Sequence, residues 1–359
     1  MKGNKVYTLV TLIIMAIFLS SCGKKQEENT VVEVKEEQKE PEQTVDPHEG
    51  QVQSKLTGLY IDEDLAQSRP LAIMMGNTSE ASPQSGIGSA GVVYEIPVEG
   101  GITRLMSIIE DYRSLDRIGS VRSCRYYFVH YAMEYNALYA HFGQSKYALP
   151  ILGDASVDNI NGLEGATNSV FYRTKDRKAP HNAFADGQKL YEYVENKGYA
   201  TTYEDSYQGH FQFAKEDSPT ELSSGEEATY VRPGYAVDDP WFEYDKEDGL
   251  YYRFQYGKEH LDNETQKQLS CKNIILQYVP ISLLDDGKSL NVNTTAGGNG
   301  IFITNGKAIP ITWEKDGTFE ITHYYDGSGE EICLNPGVTW VLLIDRNKEG
   351  KVEIKSISQ

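Results

Sequence analysis

The stretch Gly91-Val-Val-Tyr-Glu-Ile-Pro-Val-Glu-Gly-Gly-Ile-Thr-Arg104-Leu-Met-Ser-Ile-Ile-Glu110 reads as two apolar strands, 91–97 and 104–110, joined around Gly100-Gly101. Short apolar runs bounded by turn formers mark buried strands. Just upstream, Pro70-Leu-Ala-Ile-Met-Met-Gly76 has the same form. Helical signals follow. Ser123 to Tyr139 carries Phe128, Ala132, Tyr135 and Tyr139 at helical spacing, with Ser123 in the N-cap position. Asp186 to Asn196 places Leu190, Tyr193 and Val194 on one side, with Gly198 just past its end. Strands alternating with helices predict a layered α/β domain over residues 56–215.

Beyond Gly234 the grammar changes. Tyr251–Tyr256, Asn273–Tyr278, Gly300–Thr304, Ile309–Trp313 and Thr339–Ile344 are short runs rich in β-formers, punctuated by Asp248-Gly249, Asn305-Gly306, Asp316-Gly317 and Asp326-Gly327. Such dipeptides supply the positive φ that tight hairpins need. Residues 234–359 therefore read as a mostly antiparallel β domain, a barrel or a sandwich. The acidic, Ser-rich stretch 216–233 reads as the connection. The expected fold class is α+β in two domains, which suits a chain of 359 residues.

The amino terminus gives the compartment. Lys2 and Lys5 precede an apolar run from Val6 to Leu19, and Leu19-Ser20-Ser21-Cys22 follows. The run is shorter than the ~20 residues of a membrane span and fits the core of a signal peptide. The four residues resemble the bacterial lipobox, whose cysteine accepts a diacylglyceryl group. Residues 1–21 are thus expected to be a lipoprotein signal peptide, with Cys22 the lipid attachment site. Residues 22–55 hold nine acids and five lysines and no aromatic residue, the composition of a disordered tether. The expected location is the outer face of the bacterial cytoplasmic membrane. The formal net charge of −19 argues against a nucleic-acid partner. The other cysteines, Cys124, Cys271 and Cys333, have no zinc-type spacing; a Cys271–Cys333 bridge and three free thiols are both open. No metal and no cofactor are indicated.

Two basic motifs stand out on this acidic chain. Arg104 and the run Gly119-Ser120-Val121-Arg122-Ser123-Cys124-Arg125 gather guanidinium and hydroxyl donors near the start of the first expected helix. Arginine holds phosphate or carboxylate through two parallel hydrogen bonds. The alternative is an ion-pair scaffold with Glu95, Glu99, Glu110 or Asp111. The second motif, Tyr172-Arg-Thr-Lys-Asp-Arg-Lys-Ala-Pro-His-Asn182, sets Arg173, Lys175, Arg177 and Lys178 against Asp176, with His181 and Asn182 at its end. It reads as an anion-binding loop or as a solvated one. Glu95 and Glu99 flank Pro97 and are the candidate acid/base pair. No nucleophile elbow is present, and Gly297-Gly298-Asn299-Gly300 precedes a strand, so it reads as a hairpin or bulge.

These residues together resemble the YerB family of bacterial, mostly Gram-positive, lipoproteins. In the first half the resemblance rests on Arg69-Pro70, Met74-Met75, Asn77, Pro83-Gln84-Ser85-Gly86, Val93-Tyr94-Glu95, Pro97 to Arg104, Gly119 to Arg125 and Lys178 to Asn182. In the second half it rests on Gly300 to Phe302, Asn305-Gly306, Thr312-Trp313, Leu334 to Gly337 and Thr339-Trp340, and it covers nearly all of 56–345. It implies a two-domain extracytoplasmic lipoprotein and leaves the chemistry open. At Cys124 the family pattern has a small residue such as alanine, so the resemblance implies no catalytic thiol. The expected function is a membrane-tethered binding module in which Arg104, Ser120, Arg122, Ser123 and Arg125, with Arg173, Lys175, Lys178, His181 and Asn182, hold an anionic envelope ligand, either a lipid-linked phosphate or an acidic glycan. A protein–protein scaffold of the envelope and a phosphoryl- or glycan-transfer enzyme are the alternatives.

Overall fold

The computed structural model describes residues 47–357. Cys22, the expected signal peptide and most of the expected tether lie outside the described residues. The N-terminal half supplies β1 (Leu71–Gly76), β2 (Val92–Pro97), β3 (Thr103–Ile109), α1 (Tyr126–Met133), β4 (Leu138–His141), β5 (Asn159–Asn161), β6 (Phe171–Arg173), β7 (Ala183–Ala185) and α2 (Gly187–Lys197). The C-terminal half supplies β8 (Tyr230–Arg232), β9 (Trp241–Asp245), β10 (Leu250–Gln255), β11 (Asn273–Val279), β12 (Ile281–Leu283) and β13 (Leu290–Val292). It continues with β14 (Gly298–Thr304), β15 (Lys307–Glu314), β16 (Thr339–Asp345) and β17 (Glu353–Lys355). The fold is α+β, as the patterns predict.

One large sheet runs β15–β14–β11–β16–β2–β3–β1–β4–β5 and crosses between the two halves where β16 pairs with β2. The strands at its centre are buried on both faces, so they read as continuous apolar runs rather than as alternations. Tyr127, Phe128 and Tyr131 of α1 cover Ala72, Met74 and Met106 on one face. On the other face lie Leu190 and Val194 of α2, together with Val231, Phe242 and Tyr251 of a smaller sheet ordered β10–β9–β8–β17. This smaller sheet shows the in-out alternation of a half-buried surface, as does β15 of the large sheet.

Several boundaries differ from expectation. The second half forms no barrel of its own: β11 and β16 are parallel neighbours inside the shared sheet, because seven-residue strands apolar on both faces need cover on both. The helix expected over 123–139 is α1 alone. Ser123 is no N-cap; its hydroxyl donates to the Phe142 carbonyl at 3.2 Å, and Cys124 N–H donates to Gly143 O. Residues 138–141 become β4, parallel to β1 and β5. Asp186 does cap α2, accepting from Lys189 N–H at 3.0 Å, and Gly198 ends it in the left-handed region. Asn305 and Gly306 make the positive-φ turn between β14 and β15. Within the stretch 216–233, read as a connection, Glu226–Glu227 pairs with β15 and 230–232 is β8.

The expected tether is also shorter than 22–55. Gln51–Gln53 pairs antiparallel with Tyr60–Asp62, and Ser54 Oγ donates to Glu110 Oε1 at 2.7 Å. Burial pushes the Glu110 carboxyl up to about 7 from 4.5. The folded state therefore favours the protonated acid, and its stabilisation, complete below pH 4.5, is lost as the pH rises through 7. Glu110→Gln should flatten this decline and add up to about 3 kcal/mol at pH 8. Urea midpoints at pH 5 and pH 8 check it; parallel pH dependences in both proteins would clear Glu110 of the effect.

Candidate anion-binding site

Arg104 lies near the start of β3, opposite Gly76 on β1, and its side chain is buried. Its Nη1 donates to the Ser123 carbonyl, which ties the strand to the extended segment before α1. Arg122 packs its aliphatic stem over Gly76; a β-carbon there would come within 3.1 Å of Arg122 Cγ and 2.9 Å of Ala81 Cβ. The glycine is a steric requirement for that placement. Arg125, just before α1, holds Glu99 in a fork: Nε lies 2.9 Å from both carboxylate oxygens and Nη2 lies 2.6 Å from Oε2.

The three guanidiniums sense one another. Burial, with the charges of Arg125 and Arg122 alongside, lowers Arg104 to about 10, still charged at neutral pH. Burial and Arg125 also lower Arg122. Burial opposes ionisation of Glu99, yet the hydrogen bonds and charge of Arg125 hold its carboxyl below the ordinary range. Three cations and one carboxylate leave an excess of about two positive charges. Neither Arg104 nor Arg122 forms an ion pair among the described residues. Arg122 Nη1 instead sits 3.1 Å from His181 Nδ1. Burial and the Arg122 charge lower the His181 pKa, so at neutral pH the ring is uncharged and Nδ1 accepts.

The second motif only partly joins this cluster. It forms the end of β6 and the loop that leads into β7. Arg173 Nη1 donates to Asn182 Oδ1 at 2.7 Å, clipping the hairpin, and its guanidinium lies 4.7 Å from the Phe142 ring centre. Phe142 in turn donates its N–H to Arg122 O, so Arg173 borders the cluster. Lys175 and Lys178 are exposed in the loop and form no ion pair among the described residues. Arg177 is a brace, donating to Ala81 O at 2.6 Å and Pro83 O at 2.5 Å, while Asp176 takes Arg117 at 2.7 Å. Ser120 does not reach the arginines through any hydrogen bond: its hydroxyl is buried without a partner, and its carbonyl accepts from Gly76 N–H.

Residues 56–200 match the family model described as "Protein of unknown function (DUF3048) N-terminal domain", and residues 227–341 match its "C-terminal domain". A Bacillus subtilis protein named "Putative lipoprotein YerB" is 28% identical over 302 residues, 82% of this chain and 86% of that protein. The crystal structure of YerB from Bacillus subtilis superposes with a TM-score of 0.75 at 27% identity, over 85% of this chain and all of the other. The chain belongs to the YerB family. Arg104, Arg122, Arg125 and His181 all fall in the N-terminal family domain.

Glu95 and Glu99 are not a facing pair. Glu99 belongs to Arg125, whereas Glu95 is fully buried in a polar cluster shared by both family domains. Glu95 Oε1 and Asp238 Oδ2 both accept from Asn77 Nδ2, each at 3.0 Å, and from Thr103 Oγ1, at 2.7 and 2.9 Å. Arg253 Nη2 donates to Glu95 Oε2 at 2.9 Å. The threonine has one hydrogen to give and the amide two, so four contacts close only if one carboxyl keeps a proton. Burial, reinforced by Asp238 and opposed by Arg253, pushes Glu95 well up. Sequence reasoning missed Asp238 and Arg253. No local signal points to Arg253, since alternation along β10 groups it with Tyr251 and Gln255 against the more apolar Leu250, Tyr252 and Phe254.

The described cysteines are all free thiols, which settles the Cys271–Cys333 alternative. Burial pushes Cys124 up to about 12, so no thiolate is present there at neutral pH. No helix among the described residues is long and apolar enough to cross a membrane.

Proposed function

We propose that this chain is a lipoprotein, anchored through Cys22 to the outer face of the cytoplasmic membrane, whose N-terminal family domain binds the phosphate or carboxylate group of an envelope ligand. Its source is a lipid-linked phosphate or an acidic glycan. The anchor reading rests on the order of basic residues, apolar run and cysteine box, together with the name of the Bacillus subtilis relative. The binding reading is carried by one observation: Arg104, Arg122 and Arg125 are mutually close, and the carboxylate that acts on them is Glu99, clamped by Arg125, while Glu80 lies on the His181 side. Arg122 is the arginine best placed to receive a ligand, since His181 engages only one of its nitrogens. The neutral imidazole also leaves Nε2–H as a donor.

Titration of the full chain in detergent with inorganic pyrophosphate and with a galacturonate oligomer tests this. Arg122→Ala should weaken binding at least about tenfold, and Arg122→Lys should not restore it, because the planar fork is lost. Raising the salt should weaken the wild type steeply. Salt-insensitive binding, or an Arg122→Ala protein that binds like the wild type, would remove the proposal.

A further inference from the structure

A cavity of about 810 Å³ opens beyond the β2–β3 turn. Its walls are that turn, the segment 232–239, the β12–β13 hairpin and the end of β16 with the helical turn after it. The volume falls within the ~300–1,000 Å³ typical of small-molecule sites. It is not the arginine cluster, though Glu99 contributes to both.

Two features set its chemistry. The wall is largely apolar, with Pro97, Val98, Ile102, Ile281, Leu290 and Ile344 facing the space. Leu283, on the lining hairpin, is 59% exposed, and Val237, beside Gly101 at the mouth, is 46% exposed. The polar lining is electrostatically lopsided. Two of its carboxylates are paired with arginines, Asp239 with Arg232 at 2.7 and 2.9 Å and Glu99 with Arg125; the third, Asp345, accepts from Asn347 N–H at 3.0 Å and stands against three lysines. Lys288, Lys348 and Lys351 also line it, are exposed, and form no ion pair among the described residues. Unpaired cations around an apolar hollow are unexpected on a chain of net charge −19, where carboxylates are plentiful.

We infer that this cavity binds a single-chain amphiphile with one anionic end, its chain against the apolar wall and its charged group among Lys288, Lys348 and Lys351. Apolar walls supply most of the affinity, and the lysines fix the direction in which the molecule enters. A fatty-acid carboxylate and a polyprenyl phosphate both have this chemistry. The site stands on its own residues and does not rest on the arginine cluster.

The test titrates the full chain, in buffer below the critical micelle concentration, with oleate, undecaprenyl phosphate and the uncharged oleyl alcohol. At least one of the two anions should bind saturably with one site. The triple variant Lys288→Gln/Lys348→Gln/Lys351→Gln alters only exposed side chains; it should weaken that anion about tenfold or more and leave oleyl alcohol binding unchanged. Leu290→Glu should abolish binding of all three, with the far-UV spectrum checking that it folds. Oleate alone binding assigns an acyl chain, and undecaprenyl phosphate alone assigns a polyprenyl chain. No saturable binding of either anion would overturn the inference, as would equal affinity in the triple variant. Arg122→Ala should leave oleate binding intact while pyrophosphate binding falls, so the two readings fail separately.

Discussion

Replacing Arg253 with methionine is expected to cost about 3–5 kcal/mol of unfolding free energy, the range seen when one member of a buried ion pair is removed. Arg253 is fully buried on β10. Its guanidinium lies 4.4 Å from the Trp340 ring centre and 5.3 Å from that of Phe242, and Nη2 reaches Glu95 at 2.9 Å and Gln255 at 3.2 Å. Methionine fills much of the space between the rings but leaves Glu95 and Asp238 with no cation. The two carboxyls then resist sharing the remaining negative charge. The folded state will hold a second proton more tightly than the unfolded chain does. The loss should accordingly be smaller at pH 5 and grow toward pH 8. In the double variant Glu95→Gln/Arg253→Met the two carboxyls no longer compete, but Asp238 still lacks a cation, so only part of the loss should return. Urea unfolding followed by far-UV circular dichroism at both pH values measures all of this. A loss below about 1 kcal/mol, or a double variant no more stable than Arg253→Met, would refute the assigned role of the pair.

The same arginine explains where sequence reasoning stopped. β1, β2, β3, β11 and β16 are legible to within a residue or two because they are buried on both faces, and a continuous apolar run has few other readings. β10 is harder. Tyr252 and Phe254 invite an inward assignment, yet they are only partly covered, and Phe254 stacks on Trp241 with ring centres 5.0 Å apart. The inward face holds Tyr251, Arg253 and Gln255 instead. What selects that register is Glu95, a residue 158 positions earlier in the chain, and local pattern contains no trace of such a partner. The expected helix over 123–139 fails for a related reason. Residues 123–125 are drawn into extended conformation by bonds to Phe142 and Gly143, and Tyr139 falls at helical spacing only by coincidence with a four-residue strand.

The candidate site was legible in composition and not in geometry. Arg104, Arg122 and Arg125 stand out because the chain around them is acidic, and the structure brings them together. Their partners could not be assigned from the sequence. Glu95 and Glu99 look equivalent on either side of Pro97, yet one turns into the core and the other lies at the rim beside Arg125. Period-two alternation puts residues i and i+4 on one face only while the strand continues, and β2 ends at Pro97, so Glu99 is free to leave the face of Glu95.

Replacing Lys315 with methionine is expected to have an effect as large as that at Arg253, at the opposite face of the sheet. Glu134, at the end of α1, has almost no solvent exposure. It accepts from Lys315 Nζ at 2.7 Å, Thr322 N–H at 2.9 Å and Thr322 Oγ1 at 3.0 Å; His210 Nε2, 3.3 Å away, bonds the Thr322 carbonyl at 3.0 Å. Lys315 Nζ also donates to the Glu320 carbonyl. Burial lowers the His210 pKa, so with Lys315 in place the ring is neutral at pH 7 and Lys315 is the cation that pairs with Glu134. Lys315→Met strands the Glu134 carboxylate, with a predicted cost of about 3–5 kcal/mol. Glu134→Gln strands the ammonium and should cost a comparable amount. The double variant leaves a neutral amide among neutral donors and should be more stable than either single one, giving a coupling energy of at least about 2 kcal/mol. Glu134 lies in the N-terminal family domain and Lys315 in the C-terminal one, so the coupling reports directly on contact between them. Additive losses in the cycle would mean that the two side chains are neighbours without mutual dependence, and that this pair does not help to hold the two halves together.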